Sequence, residues 1–483
     1  MTRSLSVTKI FGRDVIIATL AQLVRSMRNF VLIPLIAGNL SIAHYGEWEL
    51  LTTAIAFLTP WITMGLASAL LRFLPGTPLN EIREGFYSIL LFAFFSCIFS
   101  ICIISIVINL EHSFTSLSTL NQNYWSVSIL LVSSVLLAIV QTYFRTFRKM
   151  VGHSLLMLSH HFSEGILLVY LINGGEPLSS ALWFLGWMRT TLMAIGLGFI
   201  IREIGFTWPQ FSNLKDYLNY SIPLMPNALF YRLYDSADRF FLYSFFGSAA
   251  VGQYAAIYIA GSLLTTMVSP IHTVLLPTMA ELWNQNRRNE IAHYIEQIIR
   301  FSALVILPLL LGMAALTEPL LKLLTQQQTD LEVDNFRIIC MSFAVFGFGV
   351  PWGDLLAVAG KTRLLFTLNG VLAGMNFLLN LMLVPVYGIE GAVISTFVCH
   401  STYTLVAYYK AQRVVPFSVP WKNMFLCLIA AISSTTTLYI ALLMFSIMSS
   451  IIIAVAVYIV IISIIGALET SDLRFILGIL GIK

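Results

Sequence analysis

The sequence predicts an all-α integral membrane protein of about 14 transmembrane helices. Three observations carry that reading: the apolar share, the scarcity of charge and the length of the unbroken apolar runs. Of 483 residues, 58% are hydrophobic and 10% charged, against about 45–50% and about 25% in soluble domains. About 280 residues are therefore apolar, enough for about fourteen helices of about 20 residues. This composition excludes a soluble enzyme. The runs are continuous rather than alternating at period two, which excludes a β-barrel.

In the first half the runs cover 15–39, 46–72, 86–110, 124–147, 153–172 and 178–201. The first starts after Arg13 and Asp14, the second ends at Arg72, and the third lies between Arg83 and Glu111. The fourth stops before Arg148 and Lys149, the fifth before Glu176, and the sixth before Arg202. In the second half they cover 217–246, 251–279, 291–317, 336–359, 364–386, 391–409, 421–445 and 451–468. Each is long enough to cross a hydrocarbon core of about 30 Å. The run after the polar N-terminus is too long for a signal peptide and is read as retained.

The connections alternate in charge. One set holds twenty of the 27 Lys and Arg residues, among them Arg72, Arg83, Lys149, Arg202, Arg287, Lys361, Arg413 and Lys483. The opposite set holds only Lys322, with Glu111, Glu176, Glu390, Asp330, Glu332 and Asp334. The positive-inside rule then places both termini in the cytoplasm. Loops are short and no G-x-x-x-x-G-K-[ST] occurs, so neither a nucleotide site nor a nucleic-acid surface is expected. No cofactor is expected. The five cysteines lie inside apolar runs without metal-site spacing and read as small buried hydrophobes.

Tyr45-Gly46-Glu47-Trp48 is echoed by Val251-Gly252-Gln253-Tyr254, and Lys149 to His153 by Ala357 to Lys361. The near-constant offset suggests two tandem six-helix lobes, residues 1–205 and 206–415, followed by two additional helices in 416–483. Such halves enclose a central site with alternating access. Prolines within spans, including Pro34, Pro60, Pro223, Pro226, Pro270, Pro277, Pro308 and Pro351, suit bending elements.

Charges inside spans are the candidate functional residues, because each costs at least about 2.5 kcal/mol to insert and needs a partner or a wet cavity. The basic ones are Arg25, Arg28, Arg189, Arg232, Arg239 and Arg337; the acidic ones are read as Glu164, Asp235, Asp238 and Asp354. Gln22, Arg25, Arg28 and Asn29 share one face of the first helix. Arg232, Asp235, Asp238 and Arg239 share an arc of the seventh. Arg25, Arg28, Arg232 and Arg239 suit an anion, since arginine stays ionised and grips phosphate bidentately. The competing reading of the seventh-helix set is a self-neutralising network, with Asp235 and Arg239 one turn apart. Glu164, Asp235 and Asp238 are candidates for ion coupling or salt bridges. The span histidines read as packing residues, and Asn376 with Asn380 as a helix cross-link.

Several stretches carry a family resemblance. These are Tyr45–Trp48 through Met64-Gly65-Leu66 to Phe73, Ser221-Ile222-Pro223-Leu224-Met225-Pro226, Ala237-Asp238-Arg239, and Gly360-Lys361 through Asn376, Asn380 and Pro385 to Gly388-Ile389-Glu390-Gly391-Ala392. In this order they resemble the Wzx-type O-antigen and exopolysaccharide repeat-unit flippases of the MATE-like flippase superfamily. The resemblance implies two six-helix lobes around a cationic cavity, with two helices appended. It implies an undecaprenyl-pyrophosphate-linked oligosaccharide moved from the cytoplasmic to the periplasmic leaflet of the bacterial inner membrane. Polysaccharide polymerase machinery is the implied partner. One departure is visible: Leu35 to Asn39 is uncharged, where relatives often carry a base. Competing readings are a peptidoglycan lipid-precursor flippase, a multidrug or organic-cation exporter of the same superfamily, and a membrane-embedded polymerase or glycosyltransferase. The last would require a large loop or an acidic metal motif.

Overall fold

The computed structural model describes residues 41–110, 124–147, 149–174, 178–325 and 333–466, together with Val24 and Pro34. Over its described residues every expected span from the second onward is helical apart from short turns, and the described residues contain no strand. Nine described helices are long and apolar enough to cross a membrane, or ten with one bent pair counted as a span. That pair is α1 (Ile42–Ile62) and α2 (Leu66–Phe73), bent by 57°. Pro60 lies near the end of α1, and Met64 (φ 46°) and Gly65 (φ 70°) turn the chain through the left-handed region between the two helices.

The helices fall into two compact units, residues 41–252 and 253–466. The first contains α1, α2, α3 (Leu79–Leu110), α4 (Tyr124–Thr146), α5 (Met150–Asn173), α6 (Leu178–Ile204) and the short α7 (Leu214–Ser221). The helical stretch Met225–Asn284 follows; it is broken at Gly247 (φ 78°, ψ −173°) into α8 (225–246) and α9 (248–284). Such a backbone conformation is open to glycine and costly for a side-chain-bearing residue. A division by helix order falls between 205 and 206. The division by packing falls later because α7 and α8 lie against α1 and α2: Phe73 packs on Tyr217 and Tyr220, and Phe57 on Phe240.

Within this unit α4 is the interior helix, with 67% of its most apolar stretch buried against 17% for α3. Leu130, Val135, Ile139, Val140 and Tyr143 fill the interior between α3 and α6. The connections expected on the cation-rich side meet at one end. Arg83 donates to the Ile204 carbonyl, Tyr87 to that of Gly205 (2.9 Å) and Ser88 to that of Gln210 (2.8 Å). Lys149 pairs with Glu203 at the same end.

The repeat glycines Gly46 and Gly252 pack against each other where α1 meets the start of α9. A Cβ on Gly46 would lie 1.8 Å from the Ser248 carbonyl oxygen, and one on Gly252 would lie 2.1 Å from that of Ile42. Two backbones approach this closely only where side chains are missing. The second pair behaves differently: Gly152 sits in the first turn of α5, whereas Gly360 forms a left-handed turn (φ 70°).

The second unit contains most of α9, then α10 (Arg288–Ala315), α11 (Thr317–Thr325), α12 (Val333–Val358), α13 (Thr362–Tyr387), α14 (Ile389–Gln412), α15 (Trp421–Leu442) and α16 (Ile447–Ile464). Here α12 is interior, with 61% of its most apolar stretch buried, and packs on α14 and α10. The ends near 284–291, 356–365 and 411–420 converge on one cluster built around Leu282, Ile291, Trp352, Leu356 and Phe417. The final hairpin is seated on α10: Cys427, Ala430 and Ala431 of α15 and Tyr458 and Ile462 of α16 enclose Phe301 and Leu304. The Tyr458 hydroxyl donates to the Leu304 carbonyl (2.8 Å).

Two expectations change. Pro223 lies in a 3₁₀ turn and Pro226 in the first turn of α8, where a proline has no helical hydrogen bond to lose, so neither kinks a span. Cys102 is exposed on α3, whereas Cys97, Cys340, Cys399 and Cys427 are buried as expected.

Candidate functional site

The charged arc of α8 divides into a buried part and an exposed part. Asp238 and Arg239 are almost fully buried, while Arg232 is exposed. The Arg239 guanidinium donates from Nε to Glu49 Oε1 of α1 (3.0 Å) and lies 3.6 Å from Asp238 Oδ1. It also reaches the backbone carbonyl of Asp235 (3.2 Å). Two carboxylates thus hold one guanidinium between α1 and α8. In this arrangement Arg239 offers little charge to an outside anion, which is the self-neutralising alternative for this residue.

Glu49 is the residue that sequence reasoning missed. The count of acids within spans omitted Glu47 and Glu49, although both fall inside the run 46–72. The signal that could have found Glu49 is its place inside an apolar run, where a carboxylate requires a cation. Arg232 contrasts with Arg239: among the described residues no ion pair engages it. It lies nearly two turns from Arg239, since seven residues separate them.

A second cluster links α4, α5 and α6. Arg189 donates from Nη2 to Glu164 Oε1 (3.0 Å) and from Nη1 to Ser134 Oγ (2.5 Å). The other carboxylate oxygen of Glu164 lies 3.5 Å from His160 Nε2 and 3.9 Å from His161 Nδ1. His160, His161 and Glu164 therefore place three donor atoms within 4.8 Å of one another, a spacing that could hold a cation. The Arg189 guanidinium competes for the same carboxylate, so this cluster already contains its counter-charge.

Other polar span residues bond to side chains of the same or a neighbouring helix. Asn380 donates to Ser395 Oγ (3.1 Å) and to Asn376 Oδ1 (3.1 Å), and both asparagines are fully buried between α13 and α14. His400 bonds Ser342 (2.7 Å) and stacks on Phe346. Arg337 lies 3.5 Å from Asp334 near the start of α12. Arg25, Arg28, Gln22 and Asn29 lie outside the described residues.

Residues 11–283 match the family described as Polysaccharide biosynthesis protein. The chain belongs to that family. Residues 223–382 also match the MatE family, so this polysaccharide biosynthesis protein is a MATE-like transporter-superfamily member. A structure of the lipid II flippase MurJ, in an inward closed conformation, aligns with a TM-score of 0.73 at 13% identity, covering 93% of this chain and 98% of that one. The Vibrio cholerae MATE transporter VcmN, as a point mutant, aligns with a TM-score of 0.60 at 14% identity, covering 86% and 98%. At these identities the likeness establishes the fold. An uncharacterized membrane protein of Methanocaldococcus jannaschii, MJ1068, is 22% identical over 252 residues, 49% of this chain and 48% of the relative. The chain thus spans about half the length of the curated relative it matches.

Proposed function

We propose that this protein is a flippase that moves undecaprenyl-pyrophosphate-linked oligosaccharide repeat units from the cytoplasmic to the periplasmic leaflet of the bacterial inner membrane. It works by alternating access and is not an enzyme. The observation that carries the reading is Arg232, an arginine within a span that no described carboxylate neutralises. Membership of the polysaccharide biosynthesis family supports the glycan, and the likeness to a lipid II flippase supports a lipid carrier.

The physical problem is to bring a pyrophosphate past hydrocarbon while the isoprenoid tail stays in lipid. Arginines answer it, because they remain charged in a low dielectric and bind phosphate oxygens with two parallel hydrogen bonds. Arg25, Arg28 and Arg232 supply charge to the substrate. Arg239 joins them only when its bond to Glu49 or Asp238 opens, so substrate phosphate and carboxylate compete for one guanidinium. Both termini face the cytoplasm in this reading, and polymerase machinery receives the product. Glu164 with its histidines is the place for a coupling ion; Asp235 and Asp238 are tied to the α8 network.

A cation exporter needs an available carboxylate in the first half of the chain. Glu49 is engaged by Arg239 and Glu164 by Arg189, which disfavours that reading. The deciding experiment is mass spectrometry of lipid extracts from cells lacking the protein, beside a cation-drug susceptibility test. Accumulated undecaprenyl-pyrophosphate oligosaccharide with unchanged susceptibility is expected. Accumulated peptidoglycan precursor would shift the substrate to that lipid, and normal intermediates with raised drug sensitivity would refute the proposal.

A further inference from the structure

One cleft in the first unit is wholly apolar. It has a volume of about 290 Å³ and lies between α3, α4, α6 and the connection after α6. Its α3 wall is Tyr87, Leu90, Leu91 and Phe94, and its α6 wall includes Leu197 and Ile201. Phe94 and Ile201 are more than a third exposed and Trp208 is 79% exposed, so the cleft opens onto the outer surface of the bundle. In a membrane that surface meets hydrocarbon chains.

The cleft has a polar end. Residues 83, 87, 90, 91 and 94 follow helical spacing and share one face of α3, which puts Arg83 one turn beyond Tyr87. Arg83 Nε is fixed by the Ile204 carbonyl, and the 205–210 connection is strapped by Tyr87 and Ser88. Among the described residues the terminal amines of Arg83 have no partner. The nearby Lys149, by contrast, is taken up by Glu203. The aromatic rings of Phe206 and Trp208 pack at this end, 5.7 Å apart, as interfacial aromatics do.

We infer that this cleft binds one chain of an anionic glycerophospholipid of the surrounding bilayer, with its phosphate on Arg83. From Tyr87 to Phe94 the wall runs about 10 Å along the helix, about a third of the hydrocarbon thickness. That length suits the upper part of one chain whose headgroup stands level with Arg83. A single unpaired guanidinium matches the single charge of a phosphodiester. Glu84, next to Arg83, and Glu81, two residues before it, repel any anion there, and a more highly charged pyrophosphate more strongly than a phosphodiester. This binding does not depend on what the protein transports.

The test is native mass spectrometry of the full chain titrated separately with phosphatidylglycerol, phosphatidylethanolamine and undecaprenyl pyrophosphate. Phosphatidylglycerol should occupy one site more tightly than phosphatidylethanolamine. Arg83→Gln should weaken that site about ten- to a hundredfold, the scale of a lost charge-assisted contact. Leu91→Trp, which fills the cleft and leaves Arg83 in place, should weaken it as well and covers the case in which Arg83→Gln fails to fold. Arg202→Gln, an exposed arginine at the same end, should leave it unchanged. Equal binding of both phospholipids, indifference to Leu91→Trp, or displacement of phosphatidylglycerol from this site by a lower concentration of undecaprenyl pyrophosphate would overturn the inference.

Discussion

Removing the Arg239 side chain should destabilise the first unit more than removing either of its acidic partners. Arg239 is 4% exposed, and its guanidinium serves Glu49, Asp238 and the Asp235 carbonyl together. Arg239→Ala leaves the buried Asp238 and the largely buried Glu49 without their shared cation, and breaking a buried pair in this way costs about 3–5 kcal/mol. Glu49→Gln keeps an oxygen that accepts from Nε and leaves Asp238 as counter-charge, so it should cost about 1–2 kcal/mol, the scale of one charged hydrogen bond. For a unit of this size 1 kcal/mol moves the melting temperature by about 2–4 °C. Thermal unfolding of the purified protein in detergent should therefore show Arg239→Ala lowered by about 6–20 °C and Glu49→Gln by only a few degrees. The double variant should lose less than the two single losses combined, because one carboxylate has been neutralised. Equal shifts for the two single variants, or strictly additive losses in the double, would refute the shared-guanidinium account.

Gly46→Val and Gly252→Val should each force α1 and α9 apart, costing about 1–3 kcal/mol by overpacking and visible as reduced yield of folded protein on size exclusion. Arg189→Leu should strand Glu164 and cost about 3–5 kcal/mol, whereas Arg189→Leu with Glu164→Leu should recover most of it; melting temperatures of the single and double variants compare the two directly. Arg232→Ala should abolish complementation of the transport-deficient cells with the melting temperature unchanged, and Arg232→Lys should restore it only in part, since an ammonium lacks the planar fork.

Much of the fold was legible because hydrocarbon imposes one requirement on every span, continuous apolarity with internal backbone hydrogen bonding. The grouping of connections at a common end also follows, since alternate connections must emerge on the same side. The packing of α8 and the start of α9 against α1 was not legible: it rests on Glu49 and Phe57 meeting Arg239 and Phe240 of α8, and Gly46 meeting Ser248 and Gly252 of α9, and helical spacing reports only neighbours on the same helix. For that reason Asp235, one turn away, was the partner expected for Arg239, and Glu49 on another helix was not foreseen as a further one. The asparagine pair was easier, because Asn376 and Asn380 stand one turn apart in an apolar helix and could only satisfy each other or the next helix.

The cluster of Glu49, Asp238 and Arg239 contains two acidic groups and one basic one, whereas Glu164 and Arg189 balance. This difference gives the two clusters unlike responses to the transmembrane voltage. A net elementary charge carried across the whole field gains or loses about 2.3 kcal/mol per 100 mV; a balanced pair gains nothing. With both acids ionised, displacement of these three groups along the membrane normal would be electrogenic, and the resting potential would act on the Arg239 cluster and not on the balanced pair of Glu164 and Arg189.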